Sequence, residues 1–80
     1  MMLADREGHV KVRANIAGEV EIRVSVGDTV VRTQAIAVVE GDHEIESLSV
    51  RKTSTVVDIH VATGEEVAEG AVLMTVLEMQ

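Results

Sequence analysis

Few residues in this 80-residue chain could do chemistry, and one stretch concentrates them: Glu40-Gly41-Asp42-His43-Glu44, followed closely by Glu46. An imidazole among carboxylates can move a proton, accept an acyl group or join the carboxylates on a metal ion. Metal binding is the weaker prospect, because adjacent residues on a hairpin point to different sides and His43 is the only nitrogen donor in the stretch. His9 and His60 lie elsewhere in the chain. The acidic pairs Glu65-Glu66 and Glu19-Glu21 have the composition of an acid/base couple. They fall on a turn and on outward strand positions, however, with nothing to form a pocket between them. We therefore expect no catalytic residue and no metal site. Asp28 and Glu65 are expected to serve their turns, and Met74 and Met79 to pack.

Composition narrows the choices further. The chain has no Cys, Phe, Trp, Tyr or Pro, which removes disulfides, zinc–thiolate sites and cysteine nucleophiles and leaves an aliphatic core. A net charge of −7 with seven scattered Lys and Arg offers no basic face for a phosphate backbone, so nucleic acid is not an expected partner. Such acidity suits solubility or a partner with a basic docking surface. The opening Met1-Met2-Leu3-Ala4-Asp5-Arg6-Glu7 lacks a basic segment leading into an apolar run, and no stretch approaches a membrane span. The expectation is a cytoplasmic protein with no membrane partner.

The elements that must position the acidic stretch read as strands. His9 to Ala14 alternates, with Val10 and Val12 on one face and Lys11 and Arg13 on the other, as a half-buried strand requires. Glu19 to Val24 does the same with Val20, Ile22 and Val24 inward. Gly27-Asp28 is a turn, Thr29 to Val31 a short strand, and Ala35 to Glu40 leads up to a hairpin whose return strand is Ile45 to Val50. Apolar spacing of two, interrupted by Gly-Asp and Gly-Glu pairs, leaves no room for a helix of about 12 residues. Residues 1–8 read as a flexible lead-in, and residues 9–80 as one domain.

The second half repeats the first. A shift of 37 lays Val20 on Val57, Ile22 on Ile59, Gly27 on Gly64, Asp28 on Glu65, Val30 on Val67, Ile36 on Leu73 and Val39 on Val76. Two copies are too few for a solenoid. Facing each other about a pseudo-twofold axis, they can bury each other's apolar faces, which predicts an all-β flattened barrel or sandwich of two short antiparallel sheets. The hairpin tip, with His43 at its apex, is the link between the halves.

The motifs Val26-Gly27-Asp28-Thr29-Val30 and Thr63-Gly64-Glu65-Glu66-Val67, the tip Val39-Glu40-Gly41-Asp42-His43, and the closing run Glu69 to Glu78 together resemble the lipoyl/biotinyl carrier domain family. The match is nearest to lipoyl domains of bacterial 2-oxo acid dehydrogenase acyltransferases and extends over residues 10–78. The resemblance implies eight strands in two four-stranded sheets, and a lysine at the tip bearing lipoate or biotin. Here Glu40, Gly41 and Asp42 match that pattern, and His43 stands where the lysine would be. The strand returning from the tip also departs from it: Ser49 to Ser54 has no proline, and the family's turn glycine falls at Ser54.

A lysine amine forms a durable amide with such a group, whereas an acyl-imidazole is itself an acyl donor that water hydrolyses. Neither lipoate nor biotin is therefore expected as a cofactor. The remaining lysines, Lys11 and Lys52, are expected on the first strand and at the far end of the returning strand. The resemblance then implies a non-catalytic module that binds a dehydrogenase, acyltransferase, carboxylase or ligase component through Glu40, Gly41, Asp42, His43 and Glu44. The alternative is a genuine lipoyl or biotin carrier modified at another lysine. The adaptor barrels of membrane-fusion proteins fit less well, because they insert long helices at this hairpin.

Overall fold

The computed structural model describes Asp5 and residues 7–79. The eight strands are β1 (His9–Arg13), β2 (Gly18–Ile22), β3 (Thr29–Val30), β4 (Ala37–Glu40), β5 (Ile45–Leu48), β6 (Ser54–Ile59), β7 (Glu66–Val67) and β8 (Val72–Glu78). They form two four-stranded antiparallel sheets, in the orders β1-β8-β6-β3 and β5-β4-β2-β7. Each sheet takes strands from both halves, so neither half can close a core alone. No helix is found among the described residues, and hence none long and apolar enough to cross a membrane.

Alternation decides which residues face inward. Val10 and Val12 of β1, Val20 of β2, Val39 of β4 and Val76 of β8 are almost wholly buried, together with Ile36, Leu73 and Met74. These aliphatic side chains and Met74 pack between the sheets without an aromatic ring, relying on valines whose restricted rotamers suit a pleated surface. Ile22 and Val24 pack against this core from partly buried positions.

The pseudo-twofold is visible in the backbone hydrogen bonds. Gly27 N–H donates to Val56 O and Gly64 N–H to Val20 O, both at 2.8 Å. Gly27 and Gly64 have φ of 96° and 94°, a conformation that strains any residue with a Cβ. Each turn is braced by its acidic residue as expected: Asp28 accepts from the Ser25 amide at 2.9 Å and Glu65 from the Ala62 amide at 3.2 Å.

The structure corrects one expected equivalence. Val57 is 37% exposed and sits in a β-bulge, since Val56 pairs with Val76 and Asp58 with Thr75. The buried counterpart of Val20 is Val56, so the repeat shifts by 36 residues before the bulge and by 37 after it. A bulge inserts one residue without a cross-strand partner, and this changes the count without turning the inward faces outward. The same count makes Ser54 the counterpart of Gly18; Ser54 is buried, and its hydroxyl donates to Lys52 O at 2.8 Å.

Candidate functional site

The hairpin tip is built by the β4–β5 ladder, which ends on the pair Glu40 and Ile45. Beyond it Gly41 N–H donates to Glu44 O at 2.8 Å, so the chain reverses across Asp42 and His43. Both are exposed, as is Glu44. The His43 side chain makes no hydrogen bond or ion pair to any described residue. Glu40 to Glu44 thus form the turn of this hairpin, exposed except at the half-buried Gly41.

The loop between β1 and β2 supports this tip. A Cβ at Gly41 would stand 3.0 Å from Ala17 O and 3.4 Å from the Ile16 side chain, and one at Gly18 only 2.2 Å from Glu40 O. Asn15 draws Glu46 away from the tip, donating from its amide at 2.9 Å and from its side-chain nitrogen at 2.5 Å. Of the acidic residues around His43, Glu46 is therefore engaged below the tip, while Asp42 and Glu44 remain free of side-chain ion pairs to the described residues.

β1 separates the tip from the chain ends. Its start, His9, pairs with Leu77 near the end of β8, and its far end leads into the loop under the tip. Lys52 lies with the chain ends: its carbonyl accepts from Ser54, which pairs with Glu78, and its charge lies near Glu78. Lys11 is exposed on β1 and pairs with Thr75. Neither lysine is at the tip.

The remaining groups with chemical potential are dispersed. His9 Nδ1 lies 3.2 Å from Asp5 Oδ2, and Asp5, Glu7 and His9 bring one ligand atom each within 4.8 Å of one another. The Asp5 oxygens already accept from the amides of Glu7 and His9, and the His9 amide bond is the main reason its carboxyl lies below the usual range. His60 Nε2 lies 2.9 Å from Thr75 Oγ1, with Asp58 3.8 Å from His60 Nδ1. This carboxylate–imidazole–hydroxyl order resembles a nucleophile relay, but 3.8 Å is too long for a hydrogen bond. Thr75 also belongs to a central strand whose backbone is committed to the ladders on either side. Arg51 grips Glu78 through two bonds, Nε to Oε2 at 2.5 Å and Nη2 to Oε1 at 3.0 Å, and this holds the Glu78 carboxyl below its usual range despite burial. Met74 packs in the core as expected, whereas Met79 is 49% exposed.

One grouping near the tip escapes the sequence. Glu66 of β7 pairs with Glu19 of β2, and Glu19 pairs with Glu40 of β4. Three carboxylate residues therefore stand side by side across the second sheet. The outward positions are legible from alternation, but the pairing of β2 with β7, far apart in sequence, is not.

Two sheets related by a pseudo-twofold, closed around an aliphatic core and displaying one tight hairpin, define an all-β barrel-sandwich module. The biotin/lipoyl family model, described as "Biotin-requiring enzyme", matches residues 9–76, and the chain belongs to that family. Domains of this family are carrier modules that work with protein partners in carboxylase or acyltransferase complexes. No curated protein matches the sequence. Among solved structures, a single-chain, multi-domain long-chain acyl-CoA carboxylase superposes with a TM-score of 0.84 at 21% identity, over 96% of this chain and 8% of that one. A protein assigned as a succinylglutamate desuccinylase/aspartoacylase from Shewanella frigidimarina gives 0.75 at 19% identity, over 91% of this chain and 21% of that one. Its counterpart from Shewanella amazonensis gives 0.73 at 22%, over 88% and 20%. At these identities the likeness is one of fold, and this chain spans a small part of each.

Proposed function

We propose that this domain is a docking module of a carboxylase- or acyl-transfer-type assembly, presenting its hairpin tip to a protein partner without a covalent cofactor. The observation that carries this reading is the combination of an intact tip with His43 at its apex. The closing bond from Gly41 to Glu44, the Gly18–Glu40 approach and the supporting loop hold the hairpin in shape. The tip has no amine to take biotin or lipoate, and an acyl group on an imidazole is lost to water. Neither Lys11 nor Lys52 stands on a protruding turn at this end of the molecule. The tip therefore does not fit a durable prosthetic group, while its exposed Asp42, His43 and Glu44 fit a polar contact with a partner.

Family membership favours one second reading, a genuine carrier modified at Lys11 or Lys52. Intact-mass measurement on protein made in cells with active biotin and lipoate ligases separates the two. The docking reading expects the unmodified mass, and a covalent gain on either lysine would establish the carrier. In the same cells His43→Lys is expected to become a ligase substrate, since the variant restores an amine to a hairpin that has kept its shape.

A further inference from the structure

Among the described residues no element covers the outer face of sheet β5-β4-β2-β7, and at the tip end carboxylates line up across it. Glu66, Glu19, Glu40 and Ile45 stand opposite one another across the four strands, and the next row holds Glu21, Val38 and Ser47. Beside these rows lies a groove of about 400 Å³, lined by Val38 and Ile45 with Glu19, Glu21 and Glu40 and flanked by the Thr63–Gly64 turn. Ile45 is 67% exposed. A single exposed isoleucine needs no explanation, but this one forms part of a groove with a second aliphatic residue beneath a line of carboxylates. Among the described residues the only counter-charge at this groove is spent on Glu21. Arg23 is bound to Glu21 at 3.0 Å, Arg51 is bound to Glu78 at the opposite end, and no described ion pair involves Glu19, Glu40 or Glu66.

Like charges directly opposite in a sheet repel, and an open aliphatic groove leaves apolar surface in water. A divalent ion would relieve only the charge, and an apolar partner would bury carboxylates without a counter-ion. A segment carrying both cations and an aliphatic side chain relieves both. We infer that this face docks a basic peptide segment of the partner, with one aliphatic side chain against Val38 and Ile45 and its Lys or Arg residues over Glu19, Glu40 and Glu66. This inference rests on the docking reading above and adds the place and the chemistry of the contact.

The test is an NMR titration of the full chain with a synthetic pentapeptide of four arginines around a central leucine. Amide shifts are expected at Glu19, Val38, Glu40 and Ile45, with affinity falling about tenfold in the double variant Glu19→Gln, Glu40→Gln and falling several-fold in Ile45→Ser. A peptide with serine in place of the leucine should also bind several-fold more weakly. These positions are exposed, so the variants should keep the parent's spectrum away from the substitution. Shifts confined to Asp42, His43 and Glu44 would overturn this surface while leaving the tip reading intact. Binding indifferent to the leucine would reduce the contact to general attraction by an acidic protein, and an absence of shifts would remove it; both overturn the inference. Ligase modification of the native chain, measured separately, bears on the docking reading alone.

Discussion

A Cβ on Gly18 would stand 2.2 Å from the carbonyl oxygen of Glu40, so the strand that leads into the tip passes directly over a glycine. Its pseudo-twofold counterpart, Ser54, carries a side chain, buried where β6 pairs with β8 near the chain ends. The two ends of the molecule thus differ in how closely backbone approaches backbone, and the closer approach belongs to the tip.

Gly18→Ala is therefore expected to destabilise the domain by about 1–3 kcal/mol, the range for forcing extra volume into a packed site. The obstacle is backbone, which cannot rotate away as a side chain would. Urea unfolding gives the energy, and amide shifts should concentrate at Glu40, Gly41 and Ala17. A variant as stable as the parent with an unchanged tip would show that β2 and β4 are not held at this distance.

The Arg51–Glu78 pair gives a pH dependence. The guanidinium bonds hold the Glu78 carboxyl below its ordinary value against the opposing effect of burial. A depressed carboxylate contributes stability that is fully present above its unfolded value, near 4.3, and is lost as pH falls through the lower folded value. Arg51→Gln should lower the urea midpoint at pH 7, and the gap from the parent should narrow as pH drops below 4. A gap constant from pH 7 to pH 3 would mean that the pair contributes no such linkage.

The row Glu66, Glu19, Glu40 predicts a change in the opposite direction. Glu19 stands between two like charges, and such neighbours weaken a sheet. Glu19→Gln should raise stability by a few tenths of a kcal/mol at low salt, with the gain fading as salt screens the row. Differential scanning calorimetry at two ionic strengths reads both effects, and a lower Tm at low salt would contradict them.

Much of this architecture was legible in the sequence because alternation fixes faces locally. Val10, Val12, Val20 and Val39 point inward as their spacing predicts, and Gly27 and Gly64 mark turns that need positive φ. The tip was legible because Gly41-Asp42 interrupts an extended run. Pairings over long separations were not. Nothing near Glu19 says that Glu66 will lie beside it, and nothing near Arg51 says that Glu78 will, since these contacts depend on how the two halves interleave. The bulge at Val57 was hidden for a related reason: an unbroken valine pair reads equally well in either register, and only the partner strand shows which residue is left out.

That bulge supplies a further prediction. Val56 is 1% exposed and pairs with Val76 across the core sheet, whereas the adjacent Val57 is 37% exposed and has no partner in the ladder. Val56→Ala removes two buried methyl groups from a core that has no aromatic residue to fill the space, and should cost about 1–3 kcal/mol. Val57→Thr keeps the branched shape and exchanges a methyl for a hydroxyl that can reach water, so its effect should stay within about 0.5 kcal/mol. Urea denaturation of the two variants side by side tests the assignment. The 37-residue shift read from sequence alone would put Val57 in the core as the counterpart of Val20, and a larger loss at Val57 than at Val56 would restore that register.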